Sequence, residues 1–173
     1  MISVLGLGNV LMGDDGFGPL VIRAFDNAYD AGPNVDVVDV GTPGLDLMPW
    51  LVEADHAILV DTVKNNDNPG VLRVYGKGDI QRRTASIRTG PHDPGVREAL
   101  WTLEFAGRGP RTVTLIGIAP LDVSMGTDVS QPVRTAVAAA VDAIVQALTS
   151  LGEPPKRRVS AAPAPPWWTS TPA

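Results

Sequence analysis

Four side chains in this sequence have the types and positions needed to bind a metal ion or to activate water. Asp14 and Asp15 follow a glycine-rich segment, and Asp61 ends the apolar run 57–60. An aspartate at that depth is rarely buried without a partner. His92 lies in a loop with two prolines and precedes a predicted helix. The partial positive charge at the N-terminus of that helix favours a neutral imidazole, which has a lone pair for a metal.

We predict that Asp15, Asp61 and His92 form an open metal site. Three protein ligands with a vacant position are typical of catalytic or substrate-sensing sites. These residue types suit zinc, nickel, iron and other divalent ions, so they do not name the metal. The chain has no cysteine, which excludes thiolate ligands, thiol nucleophiles and disulfides.

Each carboxylate also has a structural interpretation. Either acid of the pair can cap the helix that follows, and we expect Asp14 to be the cap and Asp15 to face the site. Asp61 could accept a hydrogen bond from the backbone of a neighbouring loop. A second chemical reading stays open, in which two of the three aspartates share a proton and activate water as in aspartic proteases.

Other binding and catalytic patterns are incomplete. Gly6 and Gly8 fit two positions of a dinucleotide fingerprint, but Leu11 occupies the third, and the aspartates after it repel phosphate. A nucleotide-binding regulator, which would use this loop and Asp39, is therefore an alternative only. No P-loop and no G-x-S-x-G sequence occurs. His56 is expected to be a surface residue at the opposite end of the sheet, and the net charge of -5 argues against nucleic-acid binding.

The elements that position these residues alternate between strands and helices. Apolar runs predict strands at 2–7, 34–40, 57–60, 71–75 and 111–118, and helical patterns begin near 15, 45, 94 and 131. This order predicts an α/β layered domain with a mostly parallel sheet. Residues 64–70 are too few for a parallel crossover, so the fourth strand should run antiparallel to the third or lie at an edge away from it. Residues 77–92 are predicted to be a polar loop.

Ligands of such sheets bind beyond the carboxyl ends of the strands, at a topological switch point. Asp15 follows strand one, Thr42 follows strand two and Asp61 ends strand three. If strands one and three are neighbours and strand two lies outside strand one, Asp15 and Asp61 face the same crevice.

The domain is predicted to span residues 1–151, and residues 152–173 to form a disordered tail. That tail contains six prolines and a basic cluster, and it can bury little apolar surface. Ser130 is expected to cap one long final helix. We find no signal peptide and no apolar stretch near the ~20 residues that span a bilayer, which predicts a cytoplasmic protein that does not bind membranes. We also expect the protein to be a monomer.

Four segments together resemble a known family. They are GLGNVLMGDDGFGPLVI, VDVGTPGLDL, ILVDTV and TGPHDPGVREAL, in this order within residues 1–150. The sequence is similar to the hydrogenase maturation proteases, which process the large subunit of nickel–iron hydrogenases. The resemblance implies a three-layer α/β/α fold whose twisted, mostly parallel five-stranded sheet has one antiparallel edge strand.

The resemblance also implies an activity. Such an endopeptidase removes a short C-terminal extension from the nickel-loaded large-subunit precursor, which is its expected partner. Asp15, Asp61 and His92 would bind nickel carried by the precursor, with other divalent ions as substitutes. Some relatives have glutamate as the first ligand, so Asp15 has a shorter reach. Substrate specificity is expected to reside in loops 77–91 and 119–129.

The expected mechanism is metal-assisted hydrolysis, in which the metal or a neighbouring carboxylate activates water. Asn9, Asp14, Gly41, Thr42 and Gly44 are candidates for positioning the substrate. Two alternatives remain. The chain could be an aspartic-type protease in which nickel only licenses binding, or a metal chaperone without enzymatic activity on the same fold.

Overall fold

The main sheet of the protein has five strands in the order β3-β1-β4-β6-β5. The structure is a computed structural model that describes residues 1–82 and 95–159. Its strands are β1 (Ile2–Leu7), β2 (Tyr29–Asp30), β3 (Val35–Gly41), β4 (His56–Thr62), β5 (Leu72–Gly76), β6 (Thr112–Ile118) and β7 (Lys156–Arg157). The neighbours from β3 to β6 are parallel, and β5 pairs antiparallel with β6 at the edge.

Helices cover both faces of this sheet. They are α1 (Phe17–Ala28), α2 (Met48–Val52), α3 (Lys77–Arg82), α4 (Gly95–Phe105), α5 (Gln131–Thr135) and α6 (Val137–Ser150), with 3-10 helices at Gly13–Gly16 and Gly44–Leu47. On β4, Ile58 and Val60 pack with α1 and α6, whereas Ala57 and Leu59 pack with α2 and α4. This alternation confirms the three-layer α/β/α prediction, because successive residues of a strand point to opposite faces.

The strand order confirms the arrangement on which the predicted crevice depends. β1 lies between β3 and β4, so the loops after β1 and β4 meet at the same edge of the sheet. β5 runs opposite to β4 and is separated from it by β6, in agreement with the short connection before it. The central strands β1 and β4 are buried along almost their whole length, which explains their continuous apolar sequences.

Helix α1 crosses β1 and β4 at unusually short range. A Cβ atom on Gly18 would lie 2.6 Å from the carbonyl oxygen of Val60 and would overlap that of Leu7. Only glycine allows this approach, because any side chain would collide with the backbone of both strands. The start of α1 is thereby held directly against the sheet.

The predicted polar loop at 77–92 is wrong over its first six residues, which form α3. Ile80 is the buried residue of this helix, and it packs into the core between the sheet and α4. A single apolar residue gives no helical periodicity, so the sequence alone did not indicate this turn and a half of helix. The rest of that segment, 83–92, lies outside the described residues.

The final helix also differs from its prediction. It is divided at Ala136 into α5 and α6, and Ser130 at its N-cap position makes no capping hydrogen bond. By length and composition, Gln131–Ser150 could cross a membrane, contrary to the expectation that no stretch approaches that length. However, Ala140, Ile144 and Leu148 are buried against the α1 side of the sheet, so one face of this helix packs on the core.

Part of the predicted tail is ordered. Lys156–Arg157 pairs antiparallel with Tyr29–Asp30, and the Arg158 side chain donates hydrogen bonds to the carbonyl oxygens of Asp26 and Tyr29. A cation at the C-terminal end of α1 is stabilised there by the exposed carbonyl groups. The prediction of disorder from residue 152 therefore does not hold for residues 152–159. Residues 160–173 lie outside the described part of the chain.

We expect Gly18→Ala to destabilise the protein by about 3 kcal/mol or more, because the backbone around the new methyl group cannot move aside without separating α1 from the sheet. Gly126→Ala is the matched control, since its Cβ would meet nothing within 4 Å. Urea unfolding of both variants measures the difference. Equal stability of the two would contradict the close packing of α1.

Candidate functional site

The chain turns sharply at the end of β1. Gly8 has a φ of +130°, and a Cβ atom there would overlap the carbonyl oxygen of Asp15. This contact folds the segment after β1 back on itself and leads into the 3-10 helix Gly13–Gly16. Asp14 and Asp15 are consequently both buried, although they stand in a loop region next to the strand end.

Asp15 is oriented by two hydrogen bonds. Its Oδ2 accepts the backbone N–H of Asn9 at 2.9 Å, and its Oδ1 accepts the hydroxyl of Thr62 at 3.0 Å. A carboxylate oxygen has two lone pairs, so each oxygen keeps one for a further partner. Asp15 is therefore fixed in position and still able to accept a proton or to bind a cation.

Asp61 is the second buried carboxylate at this edge. It lies near the end of β4 with 3% of its surface exposed, and its Oδ1 accepts the backbone N–H of Thr62 at 2.7 Å. Thr62 is also the residue whose hydroxyl reaches Asp15, so one residue joins the two aspartates. The structure thus brings Asp15 and Asp61 to the same edge of neighbouring parallel strands.

Asp14 does not have the predicted role of a helix cap. Its carboxylate makes no hydrogen bond to the N–H groups of the helix that follows. It accepts instead the backbone N–H groups of Leu121, Asp122 and Ser130, and the Ser130 hydroxyl. These donors come from the connection between β6 and α5, which a local sequence pattern cannot associate with Asp14.

The candidate positioning residues lie on two adjoining loops. The N–H of Gly8 donates to the carbonyl oxygen of Gly41 at 2.8 Å, which joins the loop after β1 to the loop after β3. Thr42 in the second loop is exposed. A Cβ atom on Gly95 would lie 2.9 Å from backbone atoms of Gly44, so the first turn of α4 packs closely on this loop.

The two histidines differ in what the structure says of them. His92 lies outside the described residues, so its place in the site stays a prediction. His56 begins β4 at the end opposite to Asp61, as expected. Its Nδ1 is 2.7 Å from the Thr112 hydroxyl, and Arg111 is hydrogen-bonded to its Nε2. His56 therefore serves the structure at the far end of the sheet.

Comparisons with known proteins identify the family. A family model described as hydrogenase maturation protease matches residues 19–147. The hydrogenase expression/formation protein HupD of Rhizobium leguminosarum bv. viciae is 36% identical over 166 residues, which cover 95% of this chain and 82% of that protein.

The chain belongs to the hydrogenase maturation protease family.

A sequence match and a structural match from Escherichia coli support the same assignment. The hydrogenase 2 maturation protease of strain K12 is 27% identical over 152 residues, covering 87% of this chain and 92% of that protein. The solved structure of the hydrogenase maturating endopeptidase HybD has a TM-score of 0.85 at 26% identity, and it covers 91% of this chain and 97% of its own. Membership of the hydrogenase maturation proteases makes this chain a processing endopeptidase.

In this hydrogenase maturation protease, the glycines of the opening segment have a structural explanation. Gly8 allows the fold-back onto Asp15, and Gly18 allows α1 to approach the sheet. Gly18 thus permits the close helix–strand packing for which the third glycine of a dinucleotide fingerprint is used. The glycine-rich loop therefore needs no nucleotide to account for it.

Sequence reasoning missed Thr62. Threonine after a strand-end aspartate is unremarkable by itself, since strands favour β-branched residues. Its contribution depends on the 3-10 helix Gly13–Gly16 lying against β4, which is a long-range contact. The one available signal was the position of Thr62 directly after Asp61, at the edge where the crevice was expected.

We expect Thr62→Val to destabilise the protein by about 1–3 kcal/mol, because Asp15 would be left buried with one donor fewer at nearly unchanged side-chain volume. Thr62→Ser keeps the hydroxyl and is the matched control. Guanidinium unfolding of the three proteins gives the comparison. If the valine variant were as stable as the serine variant, the bond to Asp15 would have no net effect.

Proposed function

We propose that this hydrogenase maturation protease removes the C-terminal extension of the nickel-loaded large-subunit precursor of a nickel–iron hydrogenase. The observation that carries the proposal is the pair of buried carboxylates, Asp15 and Asp61, at the carboxyl ends of β1 and β4. Membership of the family supplies the kind of reaction and the kind of partner. The pair supplies acceptor oxygens at the edge where parallel sheets bind ligands.

The donor set fits a divalent first-row metal ion. Hydrogen-bonded carboxylates are typical metal ligands, because their outer partners fix the orientation of the oxygen that binds. Asp15 has this arrangement, with one donor on each oxygen. His92 would add an imidazole, for which nickel and zinc are both suitable. The described residues contain no cluster of three metal-binding side chains, and His92 lies outside them.

Peptide hydrolysis needs an activated water molecule and a correctly placed carbonyl group. Precursor-borne nickel would supply Lewis acidity toward that carbonyl or that water. Asp15 or Asp61 would accept the proton of the water, and burial of both limits competition from bulk solvent. The loops at Asn9 and at Gly41–Gly44 flank the carboxylates and would hold the extended substrate chain.

The proposal includes the setting of the reaction. We infer that the enzyme works as a monomer in the cytoplasm. A monomeric form gives both flanking loops free access to a large protein substrate. Size-exclusion chromatography with light scattering tests the monomer, and fractionation of cells tests the compartment.

Nickel dependence is tested by incubating the enzyme with nickel-loaded and nickel-free precursor and measuring the mass of the precursor C-terminus. We expect loss of the extension from the loaded precursor only, because the free one brings no cation to the carboxylates. Equal cleavage of the two would exclude nickel as the recognition signal. Added zinc with the free precursor shows whether another divalent ion substitutes.

The role of each site residue is tested by single substitutions in the same assay. We expect Asp15→Asn and Asp61→Asn to lower kcat by at least about a hundredfold, since an amide neither accepts the proton nor binds the metal well. His92→Ala should impair kcat as well as binding. His56→Ala is the control histidine variant and should process the precursor normally.

Three outcomes of these assays separate the alternatives. If His92→Ala weakened binding but spared kcat at saturating precursor, the aspartic-type mechanism would be favoured, with nickel needed for recognition only. If the unmodified enzyme bound loaded precursor and never cleaved it, the metal-chaperone alternative would replace the protease. If Asp15→Asn retained full activity, the proposed site would be wrong.

A further inference from the structure

Asp14 is a completely buried carboxylate that the proposed reaction does not use. Its Oδ1 accepts the N–H of Ser130 at 2.6 Å, and its Oδ2 accepts the N–H of Leu121 at 2.7 Å, the N–H of Asp122 at 3.0 Å and the Ser130 hydroxyl at 2.9 Å. Three donors converge on Oδ2 and one reaches Oδ1, so Asp14 accepts twice as many hydrogen bonds as Asp15. Its complete burial separates it from substrate, water and metal.

All four donors belong to the connection between β6 and α5, more than 100 residues further along the chain. Burial of a carboxylate is costly unless hydrogen bonds replace its hydration, and bonds to a charged acceptor are stronger than neutral ones. Asp14 consequently fixes both ends of this connection, at Leu121–Asp122 and at Ser130. An apolar residue in its place would leave three backbone N–H groups without an acceptor.

Backbone contacts extend the attachment along the loop after β1. The N–H of Asp14 donates to the carbonyl oxygen of Asp122, and the N–H of Gly13 donates to that of Gly126. The N–H of Gly126 in turn donates to the carbonyl oxygen of Leu11. Segments 9–15 and 121–130 thus form one unit, which we call the paired loops.

The paired loops carry apolar side chains that the fold leaves in solvent. Leu11 is 54% exposed, Leu121 is 59% exposed and Met125 is 89% exposed. Leu11 is also continuous with the site, since its N–H donates to the Asn9 side chain and the N–H of Asn9 donates to Asp15. Exposed apolar side chains beside a reacting group are typical of substrate-binding surfaces.

The charges of the paired loops indicate what they would bind. Neither segment contains lysine, arginine or histidine, and Asp122 and Asp128 lie exposed in the second. Hydrogen bonds from the N–H and hydroxyl groups of Ser124 keep the pKa of Asp122 below its usual value. An acidic polypeptide would be repelled here. The surface fits an apolar stretch of chain, neutral or basic at its ends.

We propose that Asp14 is a positioning residue that fixes the paired loops next to Asp15, so that Leu11, Leu121 and Met125 bind an apolar stretch of the precursor beside the cleaved bond. The inference rests on the proposed function, because it takes the precursor as the occupant. Asp14 acts through these loops and does not touch the reacting atoms. It thereby links recognition of the substrate to the segment that holds the candidate catalytic carboxylate.

The test compares the enzyme with Leu121→Ser, Met125→Ser and the double variant, in assays of precursor affinity and of cleavage. We expect each single change to raise KM and the dissociation constant about five- to tenfold with little change in kcat, since only uniform binding is lost. Val74→Ser is the control, because Val74 is equally exposed at 59% but lies on the edge strand β5. It should leave both constants unchanged.

Asp14→Asn tests the positioning role. Its amide group brings donors to a place where four donors already converge, so the paired loops should separate from Asp15 and KM should rise at least about tenfold. A fall in kcat alone would overturn the role. Should this variant fail to fold, Ser130→Ala provides a milder test, because it removes one of the four donors without burying an unmatched group on Asp14. It should also raise KM. Unchanged KM in Ser130→Ala and in the two surface variants would overturn the inference.

Measuring both affinity and cleavage separates this inference from the proposed function. If the unmodified enzyme cleaves the precursor and the surface variants bind it with unaltered affinity, the inference is overturned and the proposed function stands. If the unmodified enzyme binds the precursor without cleaving it, and the surface variants bind it more weakly, the protease function is overturned and the docking surface stands. Neither binding nor cleavage by the unmodified enzyme overturns both.

Discussion

The contact of Gly18 with the strand backbones determines where the rest of the site can be. Because no side chain separates α1 from Leu7 and Val60, the first turn of the helix lies directly on the sheet. The 3-10 helix before it is therefore drawn against the end of β4. Two consecutive aspartates enter the protein interior at this point, although a loop would ordinarily keep carboxylates in water. The positions of Asp14 and Asp15 are consequences of backbone packing.

The hydrogen-bond partners of these two aspartates divide their roles. Asp14 is completely buried and accepts four hydrogen bonds, whereas Asp15 accepts two and keeps a lone pair on each oxygen. The first arrangement holds distant segments together, and the second leaves acceptor oxygens for a cation or a proton. The two residues are adjacent, so the loop that Asp14 fixes is joined to Asp15 by one peptide bond. If the paired loops bind the precursor as proposed, substrate recognition and the position of Asp15 are coupled over that bond.

The sequence allowed the five strands and the antiparallel edge strand to be predicted, because apolar runs and the short connection before β5 are local signals. The order of the strands entered only as a condition for the crevice, and the structure meets it. The sequence also allowed Asp15 and Asp61 to be selected, since strand ends meet at one edge of a parallel sheet. The partners of Asp14 could not be predicted, because they lie more than 100 residues away. Helix α3 was missed since Ile80 alone is buried in it, and β7 was missed because composition does not reveal a pairing with β2. The place of His92 stays a prediction.

The dependence of the proposed reaction on substrate-borne nickel has an electrostatic reason. Asp15 and Asp61 present buried carboxylate oxygens, and the paired loops add Asp122 and Asp128 without any cation. A peptide carbonyl oxygen brought to this edge would face these carboxylates, so attack by water would place developing negative charge beside acceptor oxygens. A precursor that carries a divalent cation reverses the sign of the field where that charge develops. Under the proposed function, the same carboxylates would favour the loaded chain over the empty one, and selectivity would need no separate device for sensing the metal.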